Sequence, residues 1–399
     1  MWQQIRSNQT RSAVLTIFMG ALLLLLGYFL GWYFFDSGTV GLIFALILWV
    51  IMSLVAYFQG DSILLAMSGA KKISHDDHPR LYNIVEEMKI ASGLEAMPSI
   101  YIIDDQSMNA FATGRDPKKA SVTVTSGLLQ NLNRDELQGV VGHEMSHIKN
   151  RDVLLMAMCS VLLGTIVILA WYASRFMLFG GMGRTRRSSS GGGSGQIIII
   201  IVAIAFMILA PIMAQLIYLA ISRKREYLAD ASSALYTRYP EGLASALEKL
   251  ATSTDQLKSA NQATAPMYII NPFRKKGRAA ENLTSTHPPI SERIRILRSM
   301  AGASFADYAT SYQQVRHTSK TLIPAAALAA TGTVALRAPQ PEAPAKLDQV
   351  QQTRETSNLM WNLNKYNTIT CACGTKLRLP PGFKLPQVRC PHCGRINPV

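Results

Sequence analysis

Four long apolar stretches interrupt an otherwise polar chain. The first two lie at residues 13–35 and 39–58, and the other two at 153–173 and 197–221. Each has about 20 residues, the length that an α-helix needs to cross the roughly 30 Å hydrocarbon layer of a bilayer. The first is too long for the apolar part of a cleaved signal peptide. The pattern therefore predicts four membrane-embedded helices, with buried helices of a soluble core as the alternative.

Shorter patterns mark secondary structure between these stretches. Residues 100–103 are apolar and strand-like, and residues 121–125 alternate between Ser or Thr and Val. Asn133 with Glu136 three positions later is a helix-capping pair, and apolar residues then recur at helical spacing up to Ile148. These patterns predict a mixed domain of strands and helices before the third apolar stretch.

The helix predicted after Asn133 contains the sequence HEMSH at 143–147. His143 and His147 are four residues apart, so their imidazoles lie one turn apart on the same helix face and can bind one zinc ion. Glu144 lies beside them, where its carboxylate can take a proton from water. A surface helix with two solvated histidines is the alternative.

A zinc site of this type needs a third protein ligand, and the sequence offers one after the fourth apolar stretch. Glu226 and Asp230 are four residues apart and share a helix face. Glu226 is the candidate carboxylate ligand, and Asp230 is the candidate acceptor for the far nitrogen of a ligating histidine. Alternatively, Glu226 forms an ion pair with Arg223 or Arg225.

The order of the apolar stretches is consistent with this ligand set. His147 and Glu226 can meet only if the chain crosses the membrane an even number of times between them, and two stretches lie there. Basic residues before the first stretch and after the second place the N-terminus and residues 59–152 on the cytoplasmic side. Four arginines in the loop 174–196 disagree with this orientation. We expect the metal site at the cytoplasmic membrane surface.

Four motifs resemble those of the bacterial HtpX family of membrane-integrated zinc metalloproteases, which is related to the CAAX prenyl proteases. They are MNAFATG at 108–114, HEMSHIKNRD at 143–152, EYLAD at 226–230 and STHPPISERI at 285–294. They occur in the family's order, and the resemblance covers about residues 10–300. It implies a zincin-like α+β catalytic domain with zinc on His143, His147 and Glu226 and with Glu144 as the general base.

Two further roles depend on the resemblance. His287 is the candidate donor to the developing oxyanion by family position, although Pro288 and Pro289 equally allow a simple turn there. Asn109 is the candidate residue for fixing the backbone of an extended peptide substrate at a strand edge. The alternative for Asn109 is a structural role in a turn.

The C-terminal segment changes composition twice. Residues 318–357 are rich in Ala, Pro, Gln and Thr, which predicts a linker. Two cysteine pairs follow, each with a glycine directly after it, and they predict a zinc ribbon with one structural zinc ion. Its ligands would be Cys371, Cys373, Cys390 and Cys393. Disulfides are the alternative, and a reducing cytoplasm makes them less favourable.

Charge is concentrated near this end of the chain. The formal net charge is +15, and residues 222–399 contribute +13 of it, from 24 basic and 11 acidic residues. Residues 358–399 have six basic and no acidic residues. Such a ribbon could bind anionic lipid, an acidic client segment or nucleic acid, and nucleic acid is disfavoured because no series of stacking aromatics is present. The ribbon's partner stays unknown.

Together these patterns predict a mainly α integral membrane protein with four hydrophobic helices, an α+β catalytic domain at the cytoplasmic face and a small zinc ribbon. The predicted function is a zinc endopeptidase of the bacterial inner membrane that cleaves membrane proteins, including misfolded ones. A CAAX-type prenyl protease and a catalytically idle, membrane-tethered binding module are the alternatives. The predicted domains are a transmembrane hairpin at 1–58, a metalloprotease domain at 59–317, the linker at 318–357 and the ribbon at 358–399.

Overall fold

A computed structural model of the chain describes residues 2–154, 223–253, 267–270, 287–330, 334–340 and 345–399, with isolated positions between these ranges. Most residues of the two predicted membrane helices at 153–173 and 197–221 lie outside the described residues. The same is true of most of the arginine-containing loop between them.

Two long helices form an N-terminal hairpin, α1 from Trp2–Phe35 and α2 from Gly38–Met67. Glycines allow their backbones to approach closely, since a Cβ on Gly31 would lie 2.5 Å from Gly41 Cα. In the described part of the chain, α2 is the one helix long and apolar enough to cross a membrane. The apolar part of α1, Thr16–Trp32, is shorter. Helix α2 also continues beyond the predicted domain boundary at residue 58.

A four-stranded sheet follows the hairpin. Its strands are β1 (Lys71–Ile73), β2 (Ser99–Ile103), β3 (Ala110–Thr113) and β4 (Ser121–Thr125). They are arranged in the order β1-β2-β4-β3, with β2 and β4 parallel and the other two pairings antiparallel. The strands predicted at 100–103 and 121–125 are confirmed. Strand β3 lies at the edge of the sheet.

Helices pack against this sheet and against one another to form the main core. The predicted capping box is confirmed at the start of α5, where Asn133 Oδ1 accepts from Glu136 N and Glu136 Oε2 accepts from Asn133 N, both at 2.8 Å. Almost every residue of α5 is buried, because α3, β3 and α7 surround it. The helices of this domain are α3 (Pro79–Ser92), α4 (Ser126–Asn131), α5 (Arg134–Lys149), α6 (223–237), α7 (Pro240–Thr252), α8 (Ile290–Arg298) and α9 (Phe305–Arg316).

The structure differs from the linker predicted at 318–357. Ile323 is only 3% exposed and belongs to the main core, where it precedes a short helix, α10 (Ala325–Ala330). Helix α11 (Ala345–Leu363) packs against α4 and buries Leu359 and Met360 in the same core. The Ala- and Pro-rich composition suggested a tether, but its scattered apolar residues and polar side chains attach it to the domain surface.

Two small antiparallel hairpins form the C-terminal tail. Strand β5 (Asn367–Thr370) pairs with β6 (Lys376–Leu379), and β7 (Gln387–Arg389) pairs with β8 (Ile396–Pro398). Their shared core is small: Cys371, Leu377 and Cys390, with Ile369 and Val388 packed against it. So few apolar side chains contribute little folding energy.

Candidate active site and metal centres

The predicted ligands on α5 and α6 come together in one cluster. His143 Nε2 lies 3.3 Å from His147 Nε2 and 3.5 Å from Glu226 Oε2, and His147 Nε2 lies 3.5 Å from Glu226 Oε1. Ligands at about 2.05 Å from a tetrahedral zinc ion are separated from one another by about 3.3 Å. The three side chains, called the His/Glu cluster below, therefore have the spacing of one face of a zinc coordination tetrahedron.

Glu226 gives a second indication that a cation belongs in the His/Glu cluster. The side chain is only 5% exposed, and its Oε2 atom accepts no hydrogen bond among the described residues, with Arg293 Nη1 3.6 Å away. A buried carboxylate oxygen without a partner is costly. A cation between the carboxylate and the two imidazoles would satisfy it, so the donor set fits zinc.

Each histidine of the cluster is held from behind by a carboxylate. Asp230 Oδ1 lies 3.0 Å from His143 Nδ1, and Asp152 Oδ2 lies 3.3 Å from His147 Nδ1. Such contacts fix the tautomer and the ring orientation of a metal-binding histidine. Asp230 has the contact predicted for it. Asp152 lies in the HEMSHIKNRD motif, but its type and position did not reveal this contact.

A buried arginine holds Asp230 in turn. Arg293, fully buried on α8, donates to Asp230 Oδ2 from Nε at 2.8 Å and to Oδ1 from Nη2 at 2.7 Å. Burial would raise the pKa of Asp230, but Arg293 lowers it below its ordinary value. Asp230 therefore stays ionised behind His143. Nothing in the sequence marks Arg293 as part of the site except its place in the STHPPISERI motif.

The carboxylates also change the protonation of the two histidines. Burial alone would lower the pKa of His143, and its contacts with Asp230 and Glu226 raise it instead. For His147, Asp152 and Glu226 likewise overcome burial and raise the pKa to about 10. The surrounding carboxylates therefore favour positive charge at the cluster, as expected for a site that holds a cation.

Glu144 faces strand β3 rather than the solvent. Its side chain is 2% exposed, and burial raises its pKa above the ordinary value. The Ala112 backbone N–H in β3 interacts with the carboxylate and partly offsets this rise in pKa. The sheet edge and the candidate general base are thereby in direct contact.

His287 also lies at the cluster, with its Nε2 atom 3.8 Å from Glu226 Oε2. Burial lowers the pKa of His287 to about 4, so the imidazole is neutral at pH 7. His287 lies two residues before Pro289, the N-cap residue of α8. The structure thus combines both sequence interpretations, a proline turn and a histidine beside the metal ligands.

Asn109 is placed just before the edge strand, as predicted, but its side chain is engaged within the protein. Its Nδ2 donates to Ile270 O at 3.1 Å, and its Oδ1 accepts from Ala110 N at 3.1 Å. Ile269 N donates to Ala110 O at 3.0 Å, so this segment pairs with the start of β3. The described contacts therefore give Asn109 a structural role, and its predicted contact with substrate stays a prediction.

The four cysteines of the tail form the second candidate metal centre, called the cysteine cluster below. Cys371 Sγ lies 3.6 Å from Cys393 Sγ, and Cys373 Sγ lies 3.7 Å from Cys390 Sγ. All four are free thiols, and their sulfurs lie within 4.8 Å of one another. Sulfurs at about 2.3 Å from a tetrahedral zinc ion are separated by about 3.8 Å. The spacing fits zinc and differs from that of disulfides.

Matching turns present the two cysteine pairs. Cys371 N donates to Thr375 O at 2.9 Å, and Cys390 N donates to Arg395 O at 2.8 Å. Each turn has a glycine with positive φ, Gly374 at +84° and Gly394 at +75°, which a side chain would disfavour. The CxC and CxxC pairs thus share two features, a closing backbone hydrogen bond and a glycine with positive φ, despite their different spacing.

The His/Glu cluster, with Glu144 one residue from His143 on a buried helix, defines the class of protein as an HExxH metallopeptidase. Residues 75–301 match a sequence model of peptidase family M48. The "Protease HtpX homolog" of Thermoanaerobacter pseudethanolicus is 46% identical over 298 residues, covering 74% of this chain and 97% of the relative. Those of Dictyoglomus turgidum and Streptococcus uberis are 44% and 42% identical over 75% of this chain, covering 94% and 100% of the relatives.

A solved structure, the crystal structure of S. mikatae Ste24p, is similar with a TM-score of 0.40 and 22% identity over 74% of this chain and 67% of that chain. From the family match and the relatives, the chain belongs to peptidase family M48 and within it to the HtpX-like proteases. It is a metalloendopeptidase. The match to the family ends at residue 301, so the segments that carry α11 and the cysteine cluster lie beyond it.

Proposed function

We propose that this metalloendopeptidase is integrated in the bacterial inner membrane and cleaves membrane proteins, misfolded ones among them, at the cytoplasmic face. The exposed surface of the hairpin supports membrane integration. Phe44 is 63% exposed and Ile47 51% exposed on α2, and Ile17 is 64% exposed on α1. Water would oppose so large an apolar surface, whereas lipid tails would cover it.

The observation that carries the proposal is the packing of α2 against the strand beside the active site. Near the end of α2, Leu65 packs in one cluster with Phe111 of the edge strand. The next residue, Ala112, interacts through its backbone N–H with the Glu144 carboxylate. The end of a membrane helix and the candidate general base are therefore separated by a single strand, which suits a substrate that is itself in the membrane.

The active-site residues divide the reaction between them. His143, His147 and Glu226 would hold the zinc ion, and the chemistry it supplies there is Lewis-acid polarisation of the scissile carbonyl. Glu144 takes the proton from the attacking water and delivers it to the leaving amine. Neutral His287 donates a hydrogen bond to the developing oxyanion. Cys371, Cys373, Cys390 and Cys393 would bind a second, structural zinc ion that stabilises the ribbon.

The test compares wild type with Glu144→Gln in lipid nanodiscs, using a model membrane protein as substrate. We expect the variant to lose at least about 10²-fold in cleavage rate, because a general base contributes on this order, and to retain two zinc ions per chain. Rates come from gel densitometry and zinc from elemental analysis. Full activity of the variant would contradict this mechanism.

Substrate class is tested separately. Wild type should cut the membrane protein faster than its isolated soluble domain, and it should leave a farnesylated CAAX peptide intact. Efficient cleavage of that peptide would favour the prenyl protease instead. A cellular phenotype that follows deletion of 358–399 but not Glu144→Gln would favour the idle binding module.

A further inference from the structure

Helices α5 and α6 are antiparallel and are connected at successive turns. At one end, the His/Glu cluster joins them through His147 and Glu226. One turn away His143 contacts Asp230, and in the next turn Ser233 Oγ donates to Gly139 O at 2.7 Å. The last turn, at Asp135 on α5 and Thr237 on α6, is connected by a side chain from elsewhere in the chain.

That side chain is Arg337. Its Nη2 donates to Asp135 Oδ1 at 2.6 Å and to Gln138 Oε1 at 2.8 Å on α5. Its Nε donates to the Thr237 carbonyl at the end of α6 at 2.9 Å. One guanidinium therefore bridges the two helices that carry the candidate metal ligands. A planar group with several fixed donors suits such a bridge, whereas a lysine offers only a point charge.

The backbone around Arg337 is fixed to the same two helices. Arg337 N donates to Arg238 O at 2.9 Å, and Gln340 N donates to Asp135 Oδ2 at 3.1 Å. The guanidinium also lies over the Tyr239 ring, 5.0 Å from its centroid. Residues 334–340 are thus a strap across the ends of α5 and α6, and they lie beyond residue 301, where the family match ends.

We propose that Arg337 is a positioning residue of the metal centre, and this inference rests on the zinc ligands proposed above. By joining Asp135 to Thr237, it sets the spacing of α5 and α6 at the end opposite to the ligands. That spacing fixes the distance between the histidine pair and Glu226. The segment that follows the family core thereby contributes to the affinity of the active site for its metal.

The test measures metal affinity on the full-length protein loaded with cobalt(II). Cobalt bound by four thiolates gives a thiolate-to-metal charge-transfer band that a histidine and carboxylate site lacks, so the two sites are read separately. We expect Arg337→Ala to release cobalt from the His/Glu cluster to a competing chelator at about tenfold lower chelator concentration, which is the low end of the loss seen when a group that contacts a ligand directly is removed. Its kcat should fall more than its KM rises, and the thiolate band should not change.

Arg298→Ala is the matched control. Arg298 also bridges carboxylates, Glu241 and Glu248, but both are on α7 and neither helix with metal ligands is involved. It should leave cobalt affinity at wild-type level, and Arg337→Lys should recover only part of the loss. The inference is overturned if Arg337→Ala leaves the cobalt affinity unchanged and only lowers the melting temperature, by an amount similar to that for Arg298→Ala. A wild-type protein that binds no cobalt through His143, His147 and Glu226 would instead overturn the proposed zinc ligands.

Discussion

The His/Glu cluster and the cysteine cluster are built in opposite ways. The first has three donors from two buried helices, and each histidine is held by a carboxylate, Asp230 or Asp152. The second has four donors from two tight turns, and two of its cysteines are exposed. Catalytic zinc sites keep a position open for water or substrate, whereas structural sites are closed by four protein ligands.

The folding energy of the two regions has different sources. Around the His/Glu cluster, a large core positions the ligands before any metal binds. Around the cysteine cluster, the core consists of three buried side chains with two partly buried neighbours. Metal should therefore change chemistry in the first region and create the fold in the second.

The strongest test of this comparison is Cys390→Ser. Because zinc binding contributes about 10–16 kcal/mol to small zinc domains, loss of one thiolate should unfold the hairpins β5–β8. The zinc content should fall from two ions to one, and the tail should become sensitive to limited proteolysis. Cleavage of the membrane substrate should persist.

Lys384→Ala is the matched control, because Lys384 is exposed in the same tail and outside the cluster. It should keep both zinc ions and resist the protease. If the tail of Cys390→Ser resists the protease as well as that of Lys384→Ala does, its fold does not depend on metal. The two metal centres would then not differ in the way described above.

Asp230→Asn tests the other centre. The variant should weaken metal binding at the His/Glu cluster by about 10–100-fold, since it disturbs the orientation of His143 and removes the negative charge that Arg293 binds most closely. Chelator competition measures the affinity, and circular dichroism should show an unchanged helical signal. Glu241→Gln, which alters an exposed carboxylate, should have no effect on affinity. Unfolding of the domain in Asp230→Asn would contradict the idea of a preformed site.

Gly374→Ala should have the smallest effect. A Cβ there meets no atom within 4 Å, but φ is +84°, so the cost is conformational strain of about 1–2 kcal/mol. We expect metal affinity at the cysteine cluster to fall about fivefold or more, with the His/Glu cluster unchanged. Gly332→Ala is the control, since its Cβ also meets open space and its φ lies outside the left-handed region. Equal affinities in both variants would show that the turn conformation does not limit the ribbon.

The features that could be predicted from the sequence are those whose residues all lie within one short segment. The HEMSH spacing and the Asn133 capping pair act within one helix, and the paired cysteines act within one turn each. Arg293 was missed because its contact with Asp230 depends on how α8 packs against α6. Asp152 was missed although it is only five residues from His147, because α5 ends at Lys149 and helical spacing no longer applies between the two residues. Charged residues of these types are usually solvated on a surface, and no local spacing distinguishes these two.

The segment after residue 318 shows a second limit. Its Ala- and Pro-rich composition is typical of a tether, yet Arg337 binds Asp135, 202 positions away, and the Thr237 carbonyl, 100 positions away. Helix α11 likewise packs against α4, far away in the sequence. Composition reports local flexibility and carries no information about such distant partners. Asn109 was similar, since its partner Ile270 could not be identified from the sequence.

Two aromatic residues near the polar end of α2 bear on which bond of a substrate is cleaved. Arg115, directly after the edge strand and its glycine, lies 5.8 Å from the Tyr57 ring centroid and 5.5 Å from that of Phe58. In the proposed membrane placement, such aromatics mark the interface between lipid and water. The strand beside Glu144 would then stand at a fixed height above the bilayer. Such an enzyme would act as a ruler, selecting bonds by their distance from the end of a substrate's membrane helix.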